Sequence, residues 1–168
     1  MKPLEIDLNR IHQLSKQNED QNTRFRSYLK GIDNDMVDNI VHRLYKEIAA
    51  VIDCTECGNC CTIFRTTITD SELDTLAKKD NLSRENFIEN FTEQDEPEKT
   101  RYLKDIPCKY LSGKKCSIYE IRPEECRYYP HIHKHCFNSR TLGVISNCEI
   151  CPIVFNVWES LKEEFKFL

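Results

Sequence analysis

Apolar residues recur at Leu4, Leu8, Ile11 and Leu14, three and four apart, which predicts an amphipathic helix over residues 4–14. The next stretch, S-K-Q-N-E-D-Q-N-T-R at residues 15–24, offers nothing to bury and reads as a linker or fraying end rather than part of one long helix. Gly31 can end this first helical unit, and Asp33 is placed to cap a second. In that second helix Met36, Val37, Ile40, Val41, Leu44, Ile48 and Ile52 again fall three and four apart. It is the clearest amphipathic helix in the chain, and it runs straight into Cys54.

Beyond the helix the periods shorten. I-F-R-T-T-I at residues 63–68 is rich in β-branched side chains and predicts a short strand. Thr69 and Glu72 form a capping box for a helix whose inner face is Leu73 and Leu76. Ser83 caps another helix, with Phe87, Ile88 and Phe91 inward. E-Q-D-E-P-E-K at residues 93–99 reads as a charged surface loop, and Ser112-Gly113 as a turn between two short extended segments. Pro123 opens a short helix through P-E-E-C-R-Y-Y that stops before Pro130. H-I-H-K-H-C-F-N-S-R at residues 131–140 is irregular or extended. Pro152 then opens a last helix with Ile153, Val154, Val157, Trp158, Leu161 and Phe165 at helical spacing.

The expected fold is mainly α, a small helical domain with a few short strands and an irregular cysteine-rich metal-binding core. Residues 1–53 form an N-terminal helical segment packing on that core, 54–152 the cysteine-cluster region and 153–168 a C-terminal helix, within one domain overall.

Length and charge narrow the functions. A chain of 168 residues can bury a core without covalent staples, and a net charge of −4 argues against general affinity for nucleic acid phosphates. No apolar run approaches the ~20 residues that span a bilayer. Glu5 and Asp7 stand where a secretory signal would be apolar, so the sequence reads as cytoplasmic. Thiols there are held reduced, which turns ten cysteines away from disulfides and toward metal.

Those cysteines are at 54, 57, 60, 61, 108, 116, 126, 136, 148 and 151. In C-T-E-C-G-N-C-C (residues 54–61) each Cys-x-x-Cys step can bring two thiolates to one metal, and Gly58 suits the tight turn this needs. Consecutive side chains diverge, so Cys60 and Cys61 are not expected to serve one simple tetrahedral site together. Cys108, Cys116 and Cys126 would supply further thiolates from a hairpin and a helix start, and Cys148-x-x-Cys151 forms a second knuckle. Buried thiols packing as small hydrophobes would explain one or two of the ten; for Cys136 that reading stands level with ligation.

Three stretches together resemble the bacterial CxxCxxCC family of zinc- or iron-chelating proteins (YkgJ-type). They are C-T-E-C-G-N-C-C, C-K-Y-L-S-G-K-K-C-S-I-Y-E-I-R-P-E-E-C-R-Y-Y-P (residues 108–130) and the pair Cys151-Pro152. The resemblance implies metal ligation by Cys54, Cys57, Cys60, Cys61, Cys108, Cys116, Cys126 and Cys151. Cys136 and Cys148 lie outside its pattern. It also brings in bacterial flagellin lysine methylases, which carry a similar cysteine region, are associated with an iron–sulfur cluster, and are longer than this chain.

Thiolates accept iron and zinc alike, so the cofactor expected is an iron–sulfur cluster or zinc, with the Cys-x-x-Cys-x-x-Cys run favouring the cluster. His131, His133 and His135 alternate, and an extended segment would turn all three to one side, either as ligands or as a polar surface strand. His12 and His42 fall on helices, solvated or satisfied by neighbours. Arg122, Arg127, Tyr128 and Tyr129 surround Cys126. The arginines would either offset the charge of a thiolate site or pair with carboxylates such as Glu124 and Glu125. No Gly-rich phosphate loop, G-x-S-x-G or H-E-x-x-H is present. Three functions stay open: a metal-binding or redox module, a structural zinc protein acting through partners, or a cluster-dependent modification enzyme resembling the flagellin lysine methylases.

Overall fold

The computed structural model describes residues 3–167, and the fold is mainly α. In chain order the helices and strands are α1 (Leu8–Gln17), α2 (Glu19–Leu29), α3 (Asn34–Ala49), α4 (Cys54–Cys57), α5 (Asp70–Lys79) and α6 (Arg84–Phe91). There follow β1 (Thr92–Gln94), β2 (Arg101–Leu103), β3 (Leu111–Ser112), β4 (Lys115–Cys116), α7 (Glu124–Tyr128), α8 (Thr141–Cys148) and α9 (Pro152–Glu164). Single 3-10 turns lie at Asn59–Thr62, Tyr119–Ile121 and Phe137–Arg140. The chain divides into two compact units. One takes residues 1–53 and 130–168, the other residues 54–129.

The helical unit packs α9 against α3, α8 and α1. Its core includes Ile11, Phe25, Leu29, Val37, Val41, Ile48, Phe137, Val154, Val157, Trp158 and Leu161, all fully or almost fully buried. Asp33 caps α3 as expected, its carboxylate accepting from the Met36 N–H at 3.0 Å. The first helix starts later than the apolar spacing predicts. Asp7 is its N-cap, and Leu4 lies outside it, because the side chain of Asn156 on α9 grips the Glu5 backbone from both directions, at 3.0 and 2.8 Å.

The polar stretch 15–24 is helical apart from the junction at Asn18, and part of it is buried, contrary to the expectation of a linker. Trp158 supplies the reason: its indole N–H donates to Asn22 Oδ1 at 2.9 Å, so a buried amide satisfies a buried ring. Lys162 is likewise held inside, its ammonium donating to Glu159 at 2.6 Å and to Gln21 at 3.0 Å.

The second unit has its own core of Ile68, Leu73, Leu76, Ala77, Phe87, Leu103, Tyr110 and Ile118, against which Cys108 and Cys116 pack. The Thr69–Glu72 capping box is complete, and Ser83 caps α6. Residues 63–68 form no strand. They run alongside β2 with one bridge, Thr67 to Tyr102, and with Leu103 N–H donating to Thr66 at 3.0 Å. The loop expected at 93–99 is shorter than predicted, because its first residues join β1, antiparallel to β2 with Thr92 opposite Leu103. The hairpin at Ser112-Gly113 is present, with Leu111 opposite Cys116 and Gly113 at φ +62°.

Candidate metal centre

Residues 54–61 make two successive tight turns joined by a glycine. Cys54 to Cys57 form the single turn α4, and the Gly58 N–H returns to the Cys54 carbonyl at 3.2 Å. Gly58 has φ +63°, and a Cβ there would stand 2.6 Å from the Lys114 carbonyl oxygen. Only a residue without a side chain lets this turn lie so close to the β3–β4 hairpin. The 3-10 turn Asn59–Thr62 follows, closed by Cys61 N–H to the Gly58 carbonyl at 3.1 Å. Cys108 is tied to it directly, its N–H donating to the Cys61 carbonyl at 2.8 Å.

The thiols of Cys61, Cys108, Cys116 and Cys126 come within electrostatic reach of one another, and Cys60 acts on Cys61. Hydrogen bonding by Cys60 first, then burial, then the Cys60 charge push the Cys61 thiol far above the usual range. Burial comes first in raising Cys108, Cys116 and Cys126, with the neighbouring thiols adding to it. Cys126 is exposed as a residue, yet its sulfur is crowded enough to be pushed up to about 11.

Opposing that are donors aimed at sulfur. The Tyr110 N–H bonds the Cys108 sulfur and the Ile118 N–H the Cys116 sulfur, each from two residues downstream, and both favour the thiolate. The Cys126 thiol donates to Thr66 Oγ1 at 3.1 Å, and the same hydroxyl can donate back to a thiolate. Arg122 also favours the Cys116 thiolate by its charge, while its guanidinium lies over the Tyr119 ring at 3.5 Å and bonds the Tyr119 carbonyl at 2.7 Å. Arg127 donates to the Glu120 carbonyl at 3.2 Å. Spacing alone singled out neither Thr66 nor the two amides, although the repeated offset Cys108–Tyr110 and Cys116–Ile118 was there to be read.

The remaining candidates are placed as follows. Cys57 is half-buried and Cys54 exposed, both on α4, which packs on β4. Cys151 belongs to the helical unit, buried at the N-cap of α9, and Cys148 is buried nearby at the end of α8 with its thiol pushed well up by burial. Cys136 is exposed at φ +58°. Among the described residues no three His, Cys, Asp or Glu side chains converge as a finished ligand set. The thiols of the second unit are gathered rather than closed around a point. As donors they fit a thiophilic metal: soft sulfur, amide N–H groups on two of them, and the Arg122 cation beside one of those two.

Histidines 131, 133 and 135 do not lie on an extended segment. His131 has φ +59°, and residues 131–136 form a loop of the helical unit. Burial first, then the charges of His131, Lys134, His42 and Arg140, hold the His133 imidazole below its usual pKa.

Comparison with known proteins adds one finding. The family model CxxCxxCC, described as "Putative zinc- or iron-chelating domain", matches residues 53–152. No curated protein and no solved structure matches. No helix among the described residues is long and apolar enough to cross a membrane.

Proposed function

Because the chain belongs to the CxxCxxCC family of zinc- or iron-chelating domains, we propose that its second unit is a metal-binding module in which cysteine thiolates hold an iron–sulfur cluster. One observation supports this most: four thiols from four separate segments are brought into mutual reach, with backbone amide hydrogen bonds to two of the sulfurs and the Cys126 thiol bonded to the Thr66 hydroxyl. A buried set of neutral thiols needs no such donors, whereas thiolates bound to a metal are stabilised by them. Cys54 and Cys57 complete the Cys-x-x-Cys-x-x-Cys run that favours a cluster over zinc.

Bound there, a cluster would supply one-electron chemistry or a Lewis-acidic iron. The chain's own contribution is positioning. Gly58 sets the motif against the hairpin, Cys108 is locked to Cys61, and the core behind Cys108 and Cys116 keeps water from that side. Thr66 and the two amides carry hydrogen bonds that would set the electron density on sulfur.

Anaerobic purification followed by iron, zinc and acid-labile sulfide analysis tests the reading. Iron with matching sulfide and a broad brown absorbance supports the cluster. Colourless protein with stoichiometric zinc transfers the site to the structural-zinc alternative. Protein free of both metals overturns the proposal.

A further inference from the structure

Four of the five histidines sit together in the helical unit, on or against one face of α3, and the thiol centre uses none of them. Asp38, His42 and Tyr45 are spaced i, i+4 and i+7, which aligns them along that face. The loop 131–136 lies over it. The His135 ring packs edge-on to His42 with centroids 5.4 Å apart, and the His133 ring lies 6.2 Å from Tyr45 and 6.4 Å from His131.

The loop is firmly built. The buried Asp38 carboxylate accepts from the N–H groups of Cys136 and Phe137 at 2.7 and 2.9 Å. Arg140 bonds the carbonyl of His131 at 2.9 Å and that of Lys134 as well. His131 and Cys136, at its two ends, both adopt left-handed backbone that non-glycine residues seldom accept, so surrounding contacts determine this conformation. What the braced loop presents to solvent is imidazole: His133 is exposed, and the His135 side chain is 85% exposed.

Two details point to a ligand. The Nε2 of His42 is buried and makes no hydrogen bond among the described residues, an unusual state for a nitrogen that can both donate and accept. And the Nδ1 of His135 stands 3.5 Å from Asp38 Oδ2, long for a hydrogen bond but the pairing by which carboxylates orient metal-binding imidazoles. Distances agree as well. Imidazoles sharing a tetrahedral ion at about 2.0–2.1 Å per nitrogen have ring centres about 5 Å apart, close to the separation of His42 and His135.

We propose that His42, His133 and His135 form a second metal site, an imidazole site for a borderline divalent ion of the nickel, zinc and copper class. Its ligand chemistry differs from that of the thiol centre: nitrogen donors select borderline ions that do not require sulfur. The loop backbone is fixed by Asp38 and Arg140, and the two exposed rings reach the ion by rotating about their own side-chain torsions. Asp38 acts as a positioning residue.

Equilibrium dialysis of the full-length protein, as purified with its thiol centre loaded, against micromolar nickel(II) tests this. The comparison is with the double variant His133→Asn/His135→Asn, whose substitutions are on the exposed loop, and with His42→Gln, the fold of each checked by circular dichroism. Wild type should retain about one nickel per chain more than either variant. Nickel-edge absorption of that increment should show imidazole nitrogen and no sulfur, while iron and zinc contents stay the same in all three proteins. Equal nickel in wild type and the double variant overturns the proposal, as does an increment bound by sulfur.

Discussion

The N–H of Cys108 donates to the carbonyl of Cys61 at 2.8 Å, so two cysteines far apart in the sequence are joined by backbone before any metal is considered. The thiol group therefore inherits its geometry from main-chain contacts, and changes to that main chain should be felt at the metal.

Gly58 gives the sharpest case. Alanine there meets both the φ of +63° and the Lys114 carbonyl 2.6 Å away, whereas at Gly113, with φ +62°, nothing lies within 4 Å of an added Cβ. Gly113→Ala should cost about 1 kcal/mol, from backbone conformation alone. Gly58→Ala should cost about 2–4 kcal/mol and lower metal content as well. Urea midpoints and metal analysis of both variants would check this, and equal losses would refute the close-approach argument.

Among the cysteines, Cys57→Ser should sharply reduce metal held by the second unit, whereas Cys136→Ser should leave its iron or zinc almost unchanged. Elemental analysis decides, and equal metal in the two variants contradicts the assignment.

Thr66→Val keeps the volume of the side chain but removes the hydroxyl 3.1 Å from the Cys126 sulfur. Losing an outer hydrogen bond of this kind costs about 10–100-fold in metal affinity. Competition with a chelator should show release at lower chelator concentration, with the circular dichroism of the fold retained. Unchanged release would mean that the hydroxyl does not support a ligand.

Acid should weaken the second unit partly through Glu72. Burial opposes ionisation of this carboxyl, but hydrogen bonds from the Thr69 and Glu124 backbones and the Thr69 hydroxyl, with the Arg127 charge, bring its pKa below the usual value. A carboxyl depressed in the folded state adds stability above its unfolded pKa of about 4.3, and that contribution is lost as pH falls through the lower folded value. Glu72→Gln should therefore reduce stability at pH 7 and flatten its decline between about pH 5 and pH 3. Parallel decline of wild type and variant would show that Glu72 does not contribute.

In the helical unit, Asn22→Leu leaves the Trp158 N–H buried without its acceptor at 2.9 Å. The expected loss is about 1–3 kcal/mol, read from the denaturant midpoint; a neutral substitution would count against it.

Periodicity made the long helices legible. The apolar spacings of α3 and α9, the Asp33 cap and the Thr69–Glu72 box all appear where the residues placed them. What it missed was decided by partners distant in sequence. Residues 15–24 looked unburiable until Trp158 supplied a donor for Asn22. The β1–β2 pairing hid in a charged stretch because three residues are too few to alternate visibly. At the candidate metal centre the cysteines were evident from spacing, while Thr66, which no motif marks, became visible only once Cys126 lay beside it. The histidines alternated in sequence, yet a left-handed His131 removed the strand that would have aligned them.

The helical unit is built from both ends of the described chain, with residues 54–129 spelled out between its two parts. On the ribosome this fixes an order of events. α1 to α3 emerge first and wait, their apolar faces lacking α9, while every cysteine of the second unit is translated. The second unit thus has all its cysteines, and its own core, before Trp158 is made and the helices can close. On the proposed reading, metal present during synthesis could bind these thiols before the helices close.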